Sequence, residues 1–192
     1  MPGKFDEIAV INLRLDDKNP RLPKDLPVSG RTPDGLLAHF AANYNLLELA
    51  RSMADKGFEP RLVEALLVVE EPPGSGVYKV IEGSRRLATV LLLTDPEARS
   101  KLSLAPVWDE LVAEAAASGF EFDPLPTIIY DNREELDDYL AFRHLTGPLP
   151  WRPEAKARFV AHLLAGGAEI AEVAKRVGTN ARTVRRYAEA FA

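Results

Sequence analysis

Val80-Ile81-Glu82-Gly83-Ser84-Arg85-Arg86-Leu87-Ala88 reads as an apolar strand that ends in a glycine and two arginines where a helix begins. A residue without a Cβ lets the chain turn sharply, the first N–H groups of a helix point outward, and two guanidinium forks follow. That is the local chemistry of an anion pocket, with Gly83, Ser84, Arg85 and Arg86 as its candidate residues. The competing reading of the same residues is an ordinary helix start with one arginine in an ion pair to Glu82.

The surrounding pattern gives this turn a frame. Leu62 to Glu70 is β-rich, Pro72-Pro73-Gly74-Ser75-Gly76 is a turn cluster, and Val77 to Glu82 alternates apolar with polar side chains, which predicts a hairpin delivering Gly83. From Ser84 the period is helical, with Leu87, Val90 and Leu91 on one face, until Asp95-Pro96 breaks it and starts a short helix. Trp108 to Ala117 is a further helix, Thr127 to Tyr130 a strand, and Arg133 to Leu145 a helix.

Upstream, Ile8 to Leu13 carries a strand signal that breaks at Asn19-Pro20, and Leu22 to Asp34 reads as an exposed, proline-rich connection. The next helix is well signalled. Asn45 caps it, Glu48 takes the third position of a capping box, Leu46, Leu49, Ala50 and Met53 line one face, and Gly57 stops it. Everything beyond the punctuated Leu145-to-Pro153 join reads as helix. The expectation is an α+β domain over residues 1–147 and an all-α domain over 148–192, divided near Gly147 to Pro150.

Composition narrows the chemistry. The 192 residues are 46% hydrophobic and 28% charged, enough to fold as one medium domain plus a small one. The chain has no cysteine, which excludes a disulfide scaffold, a thiolate zinc site and a cysteine nucleophile. His39, His144 and His162 are scattered without metal-ligand spacing, so no metal site is assigned; His144 alone sits by the predicted pocket. Glu134, Glu135, Asp137 and Asp138 read as a solvated acidic face, because adjacent residues on a helix do not face each other.

The N-terminus lacks the basic and apolar regions of a signal peptide and no apolar run is long enough to span a bilayer, so a soluble, cytoplasmic protein without a membrane partner is expected. The net charge of −5 is unevenly divided, +4 from Trp151 to Ala192 and −9 from Met1 to Pro150.

The basic end carries a second motif. Ala174 is the small residue where two helices meet, Gly178 supplies the left-handed turn, and Val184 joins the shared core with Ile170, Val173 and Val177: a helix-turn-helix pattern. The second helix is capped by Thr179 or Asn180. Thr179, Asn180, Arg182, Thr183, Arg185 and Arg186 are the candidate DNA contacts, the first residues of that helix to base edges and the arginines mostly to phosphates. The alternative is a plain helical hairpin with solvated arginines.

The order Asn19-Pro20-Arg21, Lys56-Gly57-Phe58-Glu59-Pro60, Glu82-Gly83-Ser84-Arg85-Arg86-Leu87-Ala88 and then the helix-turn-helix resembles the ParB family, from about Ile8 to Phe191. The resemblance implies a small mixed-sheet N-terminal domain of the ParB/sulfiredoxin fold that binds CTP or another NTP. It further implies a helix-turn-helix for double-stranded DNA, a homodimer, and a place on the nucleoid or a plasmid. Gly83, Arg85 and Arg86 match the phosphate loop and Asn19 and Arg21 the first box.

Two departures stand out. Ser84 replaces the usual glutamate. The Glu-Asn pair that serves Mg2+ and hydrolysis is replaced by the region Phe142-Arg143-His144, which removes the oxygen ligands a hard metal wants while Arg143 offers a further contact to phosphate. Binding of a nucleotide or anion without an assigned Mg2+ site is therefore the expectation, with no catalytic residue named. The alternatives are a nucleotide hydrolase, nuclease or small-molecule kinase on the same fold, or a plain helix-turn-helix regulator. A sulfiredoxin-like activity is excluded for want of a cysteine. Members of the family usually continue into further helices and a dimerisation region, so a chain truncated at its C-terminus is one reading of the ending.

Overall fold

A computed structural model describes residues 3–57, 65–104, 106–141, 143–144, 153–176 and 179–190. The chain divides into two compact units, Met1–Asp17 with Leu26–Asp131, and Lys18–Asp25 with Asn132–Ala192. The architecture is α+β, with all described strands in the first unit.

Five strands make one mixed sheet: β1 (Lys4–Ile8), β2 (Leu13–Leu15), β3 (Leu66–Glu70), β4 (Tyr78–Glu82) and β5 (Leu125–Tyr130), in the order β1-β5-β3-β4-β2. The β3–β4 hairpin is antiparallel, as the turn cluster between the two runs predicts, with Glu70 opposite Tyr78 and Val68 opposite Val80; Val80 and Ile81 are both buried, so the expected alternation along β4 is not realised. Parallel pairing joins β3 to β5 and β2 to β4, and β1 closes antiparallel on β5. Leu66, Val68 and Val80 are fully buried. Burying side chains of this kind contributes roughly 1.5–3 kcal/mol each.

The first unit also holds α1 (Pro33–Asn43), α2 (Leu46–Lys56), α3 (Ser84–Thr94), α4 (Pro96–Lys101) and α5 (Val107–Ala117). The α2 helix follows its local signals closely. Asn45 Oδ1 accepts from Glu48 N–H, Glu48 Oε2 accepts from Asn45 Nδ2 at 2.8 Å, and Gly57 ends the helix at φ +70°. A Cβ at Gly57 would sit 2.5 Å from the Phe120 ring, so the glycine is needed for packing as well as for its conformation. Phe58 to Glu64, including the start of the expected Leu62–Glu70 strand, lie outside the described residues.

Helix α3 is the centre of this unit, packed against α1, α2, α4 and α5 and against β2 and β4. Leu87 and Val90 are buried as the period predicts, but so are Ala88, Thr89, Leu92 and Leu93, whereas Leu91 is only part-buried. Neighbours on several sides bury more than one stripe. Asp95 ends α3 and caps α4, its Oδ1 accepting from Glu97 and Ala98 N–H.

Three expectations are corrected. The single strand over Ile8–Leu13 is two strands separated by a 3-10 turn at Val10–Asn12, with Asn12 N–H donating to Ala9 C=O at 2.9 Å and Val10 N–H to Asp123 Oδ1 at 2.9 Å. The turn leaves Ile11 75% exposed. Leu22 to Asp34 is not merely an exposed connection, since Leu22 is buried, a 3-10 turn spans Val28–Arg31 and α1 begins at Pro33. Thr32 Oγ1 accepts from Gly35 N–H at 3.2 Å and Pro33 takes the first helical position, so this proline opens a helix. The helix from Arg133 begins as a 3-10 turn at Glu134–Leu136 before α6 (Asp137–Ala141), with Asn132 Oδ1 accepting from Glu135 N–H at 3.1 Å.

The second unit contains α6, α7 (Pro153–Ala165), α8 (Ile170–Arg176) and α9 (Ala181–Glu189). Helix α9 packs on both α7 and α8. Phe159, Val160 and Leu163 of α7, Val173 and Ala174 of α8, and Val184 of α9 are buried. The expected boundary at Gly147 to Pro150, the Trp151 anchor, Val177 and the Gly178 turn lie outside the described residues.

Candidate functional site

The strand-to-helix turn forms as the sequence predicts. Gly83 follows β4, adopts φ +104° and precedes α3, whose first residue is Ser84. A Cβ there would lie 2.4 Å from Leu66 Cδ2 and 2.9 Å from Arg86 Nη2, so both the left-handed backbone and the close packing require glycine.

The three side chains after it differ in their engagement. Ser84 is buried and its hydroxyl donates to Val80 C=O at 3.3 Å. Arg85 donates through Nη2 to Asn45 C=O, the residue that caps α2, at 3.2 Å. Its Nε is buried and has no hydrogen-bond partner among the described residues. Arg86 Nη2 stands 3.9 Å from Glu82 Oε1, the ion pair that the competing reading of this turn predicts. The Glu82 carboxylate is thereby turned toward a cation.

Asn19, Arg21 and Arg143 belong to the second unit. Asn19 is buried and its Oδ1 accepts from Arg21 N–H at 2.9 Å, while Leu22 N–H donates to Asn19 C=O at 3.0 Å, so the box forms a tight side-chain-supported turn. Arg158 on α7 donates to Pro20 C=O at 2.7 Å and holds that turn. Arg143 donates to the Tyr139 hydroxyl at 2.8 Å and lies over that ring at 5.8 Å. His144 is almost wholly buried. Arg143 and His144 supply no oxygen ligand, and no group of three or more His, Asp or Glu suited to a metal occurs among the described residues.

Farther along the second unit, His162 Nε2 approaches Asp137 Oδ2 at 3.6 Å. The Asp137 side chain favours the imidazolium and raises the His162 pKa above its usual value. Burial and Arg133 oppose the rise, and Glu134 adds to it.

The second candidate site is on α9. Asn180 caps the helix, its Oδ1 accepting from Thr183 N–H at 2.9 Å, and Thr179 N–H donates to Ala174 C=O at 2.9 Å. With Val184 buried, Arg182, Arg185 and Arg186 are left exposed. Asn180, Arg182, Thr183, Arg185 and Arg186 line one open groove of about 580 Å3. Glu189 completes that lining and was not among the expected contacts, although its spacing of three and four residues from Arg186 and Arg185 is the signal that places it there. Thr179 is not part of the lining. Arg186 lies over the Tyr187 ring at 5.8 Å.

Among the described residues, no helix is long and apolar enough to cross a membrane. No protein-family model matches this chain, and no curated protein sequence does. Solved structures similar to it include two of the C-terminally truncated chromosome-partitioning protein ParB from Caulobacter crescentus. The one complexed with CTP-γ-S is 14% identical, with 96% of this chain and 77% of that chain covered and a TM-score of 0.40. The one complexed to the centromeric parS site is 11% identical, with 95% of this chain and 69% of that chain covered and a TM-score of 0.47.

Proposed function

We propose that this chain is a ParB-like DNA-binding protein whose α8–α9 pair acts as a helix-turn-helix. The observation that carries the reading is the α9 surface. A capped start at Asn180 and a buried Val184 leave Arg182, Arg185 and Arg186 together along one open groove. Exposed guanidinium groups in a row suit the spaced phosphates of a duplex, and the first turn of such a helix suits base edges in the major groove. The +4 balance from Trp151 onward favours the same ligand.

In the same reading, the turn at Gly83 to Arg86 takes a nucleotide, CTP or another NTP, or a simpler anion. Support comes from Arg85 Nε in the first turn of α3, which is buried and has no hydrogen-bond partner among the described residues. Asn19, Arg21 and Arg143 are assigned to phosphate or its surroundings on the motif order alone. Occupancy biases DNA binding or homodimer contacts through linkage. Partitioning, plasmid or phage maintenance, or regulation, in association with the nucleoid or a plasmid, is the corresponding role.

Fluorescence anisotropy of labelled duplex DNA against increasing salt tests the first part. Affinity falling steeply with salt is expected, and affinity that is absent or independent of salt overturns it. Calorimetric titration with CTP, ATP and GTP, each with and without Mg2+, tests the second. Equal DNA affinity and oligomeric state with and without every nucleotide would defeat the linkage.

A further inference from the structure

Glu82 is the last residue of β4 and Arg86 lies in the first turn of α3, four residues on, so the Gly83 turn folds one charge toward the other. Their closest atoms are 3.9 Å apart and the side chains are only 14% and 12% exposed. At that depth solvent and salt screen the pair weakly, and neither charge is left uncompensated without a large cost. Next to them, the buried Nε of Arg85 has no hydrogen-bond partner among the described residues. The turn therefore holds a buried guanidinium nitrogen without a hydrogen-bond partner among the described residues, on the residue preceding Arg86, while the Glu82 carboxylate is held by Arg86.

Resting on the reading that this turn takes an anion, we propose that Glu82 determines which anion enters, selecting oxyanions that carry a proton. An ionised carboxylate only accepts hydrogen bonds. A phosphate with an O–H can donate to Glu82 while its other oxygens accept from the arginines. A fully deprotonated oxyanion such as sulfate has no proton to offer and meets Glu82 as a like charge. Discrimination arises from this repulsive element as much as from the attractive guanidinium groups.

The test follows the backbone amide resonances of residues 83–87 by NMR while inorganic phosphate or sulfate is added at constant ionic strength near pH 7. The unaltered chain is expected to prefer phosphate by about tenfold. In Glu82→Gln, the nearly isosteric neutral side chain is expected to tighten sulfate binding by about tenfold and bring the two anions close to equality. Glu82→Asp keeps the acceptor and is expected to keep the preference, so the pair of variants stays informative if one fails to fold. Equal binding of both anions by the unaltered chain, or an unchanged preference in Glu82→Gln, overturns the proposal and leaves the ion pair a structural contact. Amides that respond to neither anion in any variant refute the anion reading itself.

Discussion

Asn180 Oδ1 receives the backbone N–H of Thr183 at 2.9 Å, so one side chain both starts α9 and lines the groove proposed for DNA. The two roles separate by substitution. Asn180→Ala removes the cap and is expected to destabilise the fold by about 1 kcal/mol. Asn180→Asp keeps a capping oxygen but adds a negative charge in the groove, so thermal stability is expected to hold while DNA affinity drops. Melting curves and anisotropy on the two variants check the separation.

The arginines of α9 are expected to act unequally. Arg186→Ala should weaken binding to all duplexes alike and lower the slope of log affinity against log salt by about 0.9, the share of one phosphate contact. Arg182→Ala, one residue into the helix, should also change the order of preference among sequences. Salt titrations over a small panel of duplexes measure both effects.

Gly83 and Gly74 form a matched comparison for stability. Both have positive φ, +104° and +77°, but a Cβ at Gly74 meets nothing within 4 Å, whereas at Gly83 it lies 2.4 Å from Leu66 Cδ2. Gly74→Ala is expected to cost about 1 kcal/mol, from backbone conformation alone. Gly83→Ala adds displacement of a buried leucine and is expected to cost about 3 kcal/mol. Urea denaturation midpoints for the two variants distinguish these costs.

His162 gives the second unit a pH dependence of defined sign. Its folded pKa is raised above the ordinary histidine value, chiefly through the Asp137 side chain, so the protonated form is favoured by folding. The stabilisation is complete below the unfolded pKa of about 6.5 and is lost as pH rises through the higher folded value. With about half the His162 side chain exposed, the effect is expected to be small. Stability should decline gently as pH rises from about 6.5 through the higher folded value, and His162→Gln should remove that part of the decline.

Locally encoded features are the ones that were legible. The α2 helix was readable from Asn45, Glu48 and Gly57 because capping is settled within a few residues, and the same holds for the Gly83 turn and the Asn180 cap. Thr32 and Pro33 carry a start signal for α1, but Pro23 and Pro27 shortly before them give the stretch from Leu22 to Asp34 the composition of a loop, which hides it. The break inside Ile8–Leu13 was not legible, because Val10 N–H donates to Asp123 Oδ1, far away in the chain.

For this protein, the sequence by itself determined the α+β class, the β3–β4 hairpin, the glycine turn and the capped, arginine-bearing α9. Each depends on backbone sterics, hydrogen bonds and periodicity over a few residues. Tertiary structure alone decided that β5 lies between β1 and β3 and β2 beside β4, that α3 is buried on several sides, and that Arg86 faces Glu82 while Arg85 reaches Asn45. Strand order and burial follow from packing between distant segments. The partner of a charged side chain follows from which neighbours that packing leaves within a few ångströms, and spacing along the chain only nominates the candidates.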